Sequence, residues 1–227
     1  MRSSEKRRIT SALALLLILS LLIALPSCDR KYDEEEVLAA AEELLRKTEI
    51  LNTVYYGNGI SYLFSGYSNG NYYEADPLHL EALGFETIAE LKALTESTFT
   101  VGYSQQIYAT TLSSVSDDDG LYHMARYYQH YDALVPTEAV CIMVNTDYKG
   151  IFDNRLTYDY STLKVEGSKK DRVYVTVDAE VKDKDGNSQI TDIKITLIEE
   201  RNGWRIDNPT WANYNTALDK YNELIGK

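Results

Sequence analysis

The sequence predicts an α+β domain in which helices from the first half pack on an antiparallel sheet from the second. Three observations carry this. Apolar residues recur at three- and four-residue steps up to about residue 112. After Asp117-Asp118-Asp119-Gly120 they alternate at every second position. No repeat or low-complexity linker divides the chain, and 227 residues suit a single domain. With 44% hydrophobic and 26% charged residues the chain is neither a disordered tail nor a multi-span membrane protein.

The first 27 residues read as an address. Arg2, Lys6, Arg7 and Arg8 form a basic start, and Ile9–Leu25 is apolar except for Thr10, Ser11 and Ser20. This run is short for a stable span, and it ends in Leu25-Pro26-Ser27-Cys28 before polar Asp29-Arg30-Lys31. Basic start, apolar middle and small residue before a cut describe a secretory signal. Cys28 just after that cut resembles the bacterial lipobox, whose cysteine is lipidated and becomes the new N-terminus. Two acyl chains there would hold the protein on the extracytoplasmic membrane surface without a span. Residues 28–33 are then a polar tether, and 34–227 the domain.

Each element of the domain has its own pattern. Val37, Ala41, Leu44, Leu45, Thr48, Leu51 and Tyr55 form one helical face, with Asp33–Glu36 at the start, where the helix dipole favours acids, and Gly57 and Gly59 at the end. Residues 57–77 are a Gly/Asn/Tyr-rich connector. Thr87 and Glu90 have capping-box spacing, opening a helix with Ile88, Leu91 and Leu94; another helix is expected over about 97–112. Strands are expected near 121–132, 138–146, 155–166, 171–183, 189–200 and 203–207. Val173, Val175, Val177, Ala179 and Val181 alternate with polar residues, and Asp185-Gly186-Asn187 turns the chain towards Ile193, Ile195 and Leu197. Leu156, Tyr158 and Tyr160 are out of phase with Leu163 and Val165, which predicts a bulge near Ser161-Thr162. Trp211, Tyr214, Leu218, Tyr221 and Ile225 suggest a short C-terminal helix.

This order, and above all the closing Gly203-Trp204-Arg205-Ile206-Asp207, resembles the nuclear transport factor 2-like (cystatin-like) superfamily over roughly residues 34–208. Thr87–Lys92 and Asp119–Tyr122 are similar to secreted cell-wall relatives, including inhibitors of peptidoglycan DL-endopeptidases. The resemblance implies a long helix and two shorter ones on a curved sheet shaped as a cone. It also implies, in some members, a pocket using His, Asp and Tyr for isomerase or dehydratase chemistry.

Charge and composition narrow the partners. The formal charge of −12 becomes −15 once residues 1–27, with four basic residues and one acidic residue, are removed. Nucleic acid is excluded, since phosphate binding needs clustered Lys and Arg. Two Cys are too few for a disulfide scaffold or a four-thiolate zinc site, and no cofactor or metal site is expected. Neither acidic loop has calcium-loop spacing, because Gly120 is preceded at five by Val115 and Gly186 by Val181. Cys141 lies among Ala139, Val140, Ile142, Met143 and Val144, surroundings that make a thiol inert.

Two function classes follow. In a regular strand His130 and Asp132 share a face, opposite His123 and Tyr127, and a His oriented by a carboxylate is the minimum for acid–base work. No nucleophile accompanies them, so catalysis by an isomerase-, dehydratase- or hydrolase-like pocket is the less favoured reading. The chain has 19 Tyr against 4 Phe and 2 Trp. Tyr62, Tyr67, Tyr72 and Tyr73 in the connector, with Tyr127, Tyr128 and Tyr131, are candidate binding surface, since Tyr offers a rigid apolar face with a polar tip. The favoured expectation is a non-catalytic, lipid-anchored module that binds a cell-envelope protein, peptide or glycan.

Overall fold

The structure, a computed structural model, describes residues 32–113, 115–116, 122–148, 150, 155–182 and 188–210. The signal segment with Cys28, the Asp185-Gly186-Asn187 turn and the expected C-terminal helix lie outside these residues. Among the described residues no helix is long and apolar enough to cross a membrane.

Helix α1 is Glu34–Tyr55. Asp33 caps it, its carboxylate accepting from the N–H groups of Glu35 and Glu36, and Glu34–Glu36 lie at the positive end of the helix dipole. All seven residues of the predicted apolar face are buried. The connector is more ordered than its composition suggests. Strands β1 (Ser68–Asn69) and β2 (Tyr72–Glu74) form a hairpin across Gly70-Asn71, where Gly70 takes the positive φ that a tight turn needs. Helix α2 (Pro77–Leu83) is a further addition, with Asp76 as its cap and Pro77 in its first turn.

Helix α3 (Ile88–Thr98) opens with the predicted capping box. Thr87 Oγ1 accepts from Glu90 N–H (3.1 Å), and Glu90 Oε2 accepts from the N–H groups of Glu86 (2.7 Å) and Thr87 (3.1 Å). Those backbone donors hold the Glu90 carboxyl below its ordinary range. Thr87→Ala is expected to lower stability by about 1 kcal/mol, measurable as a shift in the urea midpoint at unchanged slope. The helix expected over 97–112 begins later, as α4 (Val101–Thr111). The break comes from Phe99, which forms a parallel bridge with Ile206, and from Thr100, which caps α4 and donates to Asp207 (2.6 Å).

Among the described residues the strands divide into two four-stranded antiparallel sheets and a two-stranded ribbon, neither sheet closed, where a single curved meander was expected. The ribbon pairs β3 (Val115–Ser116) with β4 (Tyr122–His123). The first sheet has the order β1-β2-β6-β5, with β5 at Tyr127–Tyr131 and β6 at Ala139–Asn145. The second has the order β10-β9-β8-β7, with β7 at Arg155–Lys169, β8 at Arg172–Lys182, β9 at Ser188–Glu200 and β10 at Gly203–Ile206. The predicted bulge is present. The β7–β8 register shifts between Asp159 and Lys164, where Asp159 Oδ1 accepts from Ser161 and Thr162 Oγ1 accepts from Asp178 N–H (2.8 Å).

The expected strand over 121–132 is interrupted at Met124–Arg126 because Arg126 serves the end of α1. Its guanidinium donates to Tyr55 O (2.8 Å) and Gly57 O (2.7 Å) and lies against the rings of Tyr127 and Tyr148. A cation suits the negative end of the helix dipole, and this one is buried.

One core joins the layers. Leu44, Leu45, Leu51 and Val54 of α1 meet Val173, Val175 and Val177 of β8, Ile193, Ile195 and Leu197 of β9, and Tyr127, Ile142 and Val144 of the first sheet. The space between long helix and sheets is thus filled by side chains. Tyr158, buried there, donates to Thr210 O, and burial pushes its hydroxyl up to about 12.

Candidate functional site

The first sheet positions the candidate residues through its period of two. Register places Tyr73, Val144 and Tyr127 in one row and Glu74, Met143 and Tyr128 in the next, so the two rows face opposite sides. Tyr127, Ile142 and Gln129 turn towards the helices. Tyr128, His130, Cys141, Met143, Glu74 and Tyr72 share the open face.

On that face four rings form a tile. Tyr67 stacks on His130 with centroids 4.6 Å apart and planes 17° from parallel. Tyr128 meets Tyr72 edge-on at 4.8 Å. Met143, at the centre, is fully buried although it lies on the side away from the helices. Its sulfur accepts a contact from Cys141 Sγ at 3.6 Å. Burial, with the Glu74 charge second, raises the Cys141 thiol above its ordinary value. Glu74 instead accepts from Tyr67 N–H (2.9 Å) and fixes the loop that carries that ring. Beside the tile, Asn69, Gly70, Asn71, Tyr72, Met124, Ala125 and Tyr128 line an open cleft of about 450 Å³. Aromatic faces next to amide and hydroxyl groups offer both stacking and hydrogen bonds to a ligand.

A second aromatic group lies on the opposite side of β2. Tyr62, Phe64 and Tyr73 have centroids 5.1–5.7 Å apart, and Phe64 is 76% exposed. Tyr131 is exposed at the end of β5, near exposed Leu134, Val135 and Val140. Phe64 and Met124 were not among the residues singled out in the sequence. The Asn69-Gly70 pair was the available signal, since it marks a hairpin that brings Tyr67 and Tyr72 to one face.

Two of the predicted binding tyrosines have another role. Tyr127 is wholly buried; its hydroxyl donates to Val54 O (2.7 Å) and accepts from Ile60 N–H (3.1 Å). Burial raises its hydroxyl above the ordinary tyrosine range. Tyr72 presents only a ring edge, because its hydroxyl donates to Ala125 O (2.6 Å). Tyr62, Tyr67, Tyr73, Tyr128 and Tyr131 keep exposed or half-exposed rings.

His130 and Asp132 are not brought together. The β5–β6 register shifts between His130 and Tyr131, which breaks the parity that would align them. Asp132 Oδ1 accepts from the N–H groups of Leu134 (2.6 Å) and Val135 (3.0 Å), closing the turn after β5. His130 is held by the Tyr67 ring. The side chain of His123 is outside the described residues. No group of three His, Cys, Asp or Glu suited to a metal occurs among the described residues.

Fold and site together define an α+β domain with an open aromatic face beside a polar-edged cleft. Comparison with protein-family models finds no match, and searches of curated proteins and of solved structures return none either.

Proposed function

We propose that this chain is a membrane-anchored extracytoplasmic lipoprotein whose domain, a variant of the cystatin-like cone, binds a cell-envelope protein, peptide or glycan without catalysis. The observation that carries the binding reading is the tile of Tyr67, His130, Tyr128 and Tyr72 beside the cleft. Rings held by packing and backbone bonds lose little entropy on contact, so they suit recognition. The anchor reading rests on Leu25-Pro26-Ser27-Cys28 after a basic and apolar leader. The resemblance of Thr87–Lys92 to a stretch of secreted cell-wall proteins supports a partner in or near peptidoglycan.

The test has two arms. Cys28→Ala should move the protein from the membrane fraction to the soluble one; unchanged fractionation would sink the anchor. Residues 29–227 should co-sediment with purified peptidoglycan or with a defined envelope protein, and Tyr67→Ala/Tyr128→Ala should weaken this by at least about tenfold, since loss of two stacking contacts removes upwards of 1.4 kcal/mol. Equal binding by the variant, at matched thermal stability, would count against the aromatic face.

A further inference from the structure

We infer that the β7–β8 and β9–β10 turns form the membrane-apposed end of the domain, with Lys169, Lys170 and Arg201 set against lipid headgroups. This rests on the lipid anchor proposed above, and the geometry follows from where the described chain begins. Tyr32 is fastened to the second sheet: its hydroxyl donates to Lys170 O (3.0 Å) and its ring packs edge-on to Trp204 at 5.1 Å. Lys170 lies in the β7–β8 turn, and Trp204 follows the β9–β10 turn, so Tyr32 marks the end of the sheet that carries both.

Only three residues, Asp29 to Lys31, separate Tyr32 from Cys28, so the two are joined by four residue steps. Fully extended, they span at most about 14 Å. A lipid on Cys28 therefore holds Tyr32, and with it these turns, within about 14 Å of the lipid attachment point.

The exposed side chains at this end are of both signs. Lys169, Lys170 and Arg201 point into solvent, and the tether adds Arg30 and Lys31. Asp171 and Glu200 sit in the same turns, and Asp33 to Glu36 open α1 beside them. With the tether included, this end carries five basic residues against eight acidic ones (Asp29, Asp33 to Glu36, Asp171, Glu199 and Glu200), in a mature chain whose net charge is −15. Arg172 is already committed to Asp207 at 2.9 Å. Basic and acidic groups lie together here, so charge does not choose this end; the short tether and the contacts of Tyr32 do.

The aromatic cleft is then at the far end. Asn71 O accepts from Thr146 N–H, and Asn145 N–H donates to Arg126 O, which places the cleft beside the C-terminus of α1. The 22 residues of α1 span about 33 Å from the Tyr32 end.

The test uses the full-length lipidated protein in vesicles of phosphatidylcholine and phosphatidylglycerol with a headgroup-attached quencher. Fluorophores are placed singly at Asn202→Cys in the β9–β10 turn or at Ser68→Cys in β1, both exposed, in a Cys141→Ser background. The expected result is loss of most fluorescence at position 202 and none at position 68. Failure of the protein to float with the vesicles would overturn the anchor and this inference together. Flotation with equal quenching at both positions, or more at 68, would overturn the orientation alone and leave the anchor standing.

Discussion

Arg126→Met is expected to lower the unfolding free energy by about 3 kcal/mol and the melting temperature by about 10 °C. The guanidinium is the partner of two carbonyls at the end of α1, Tyr55 O and Gly57 O, in a region closed to water. Methionine matches its apolar stem but leaves both acceptors unsatisfied, at about 1–3 kcal/mol each. It also removes a positive charge from the negative end of a long helix and a cation from between two aromatic rings. Arg126→Lys should recover about half of the loss, because an ammonium on a single stem cannot reach both carbonyls in the fork geometry. Denaturation in urea checks this. A methionine variant as stable as the wild type would show that Arg126 does not hold helix and sheet together.

Gly59→Ala should be comparably damaging, for a reason that involves the same arginine. Gly59 has φ +77°, where an alanine is strained by about 1 kcal/mol. Its added Cβ would lie 2.3 Å from Arg126 Nη2 and 2.5 Å from Tyr127 Oη. Neither neighbour can withdraw freely, since each is bonded to a carbonyl of the α1 terminus. The total is expected at about 3 kcal/mol. In an Arg126→Ala background the Arg126 part of the clash should vanish, leaving the Tyr127 contact and about 1 kcal/mol from φ. Additive losses in this double-mutant cycle would place the strain somewhere other than the Gly59–Arg126 contact.

What could be read from the sequence was mostly local. The apolar stripe of α1, the Thr87–Glu90 capping box, the alternation in β8 and the bulge after Asp159 depend on residues a few positions apart, and each is found where the pattern put it. The errors concern partners distant in sequence. Met124–Arg126 reads as strand, yet Arg126 leaves the ladder to bind carbonyls about 70 residues earlier. Tyr72 and Tyr127 read as surface because nothing near them shows that Ala125 O and Val54 O await their hydroxyls. The parity argument for His130 and Asp132 fails at an irregularity whose cause is the turn that Asp132 itself closes. Of the binding candidates, the exposed tyrosines were identifiable by type, whereas their grouping with Phe64, Met124 and Asn69 depends on the hairpin.

The division of the strands into two sheets has a dynamic consequence. No ladder of backbone hydrogen bonds joins them among the described residues, so they communicate through side chains around α1. Strands β7, β8 and β9 of the second sheet have 11 to 15 residues, whereas β1 and β2 of the first have only two and three. Cooperative units with fewer bonds open at lower free energy. The first sheet is therefore expected to open at lower free energy than the second, which amide hydrogen exchange would show as faster exchange in β1 and β2 than in β8 and β9.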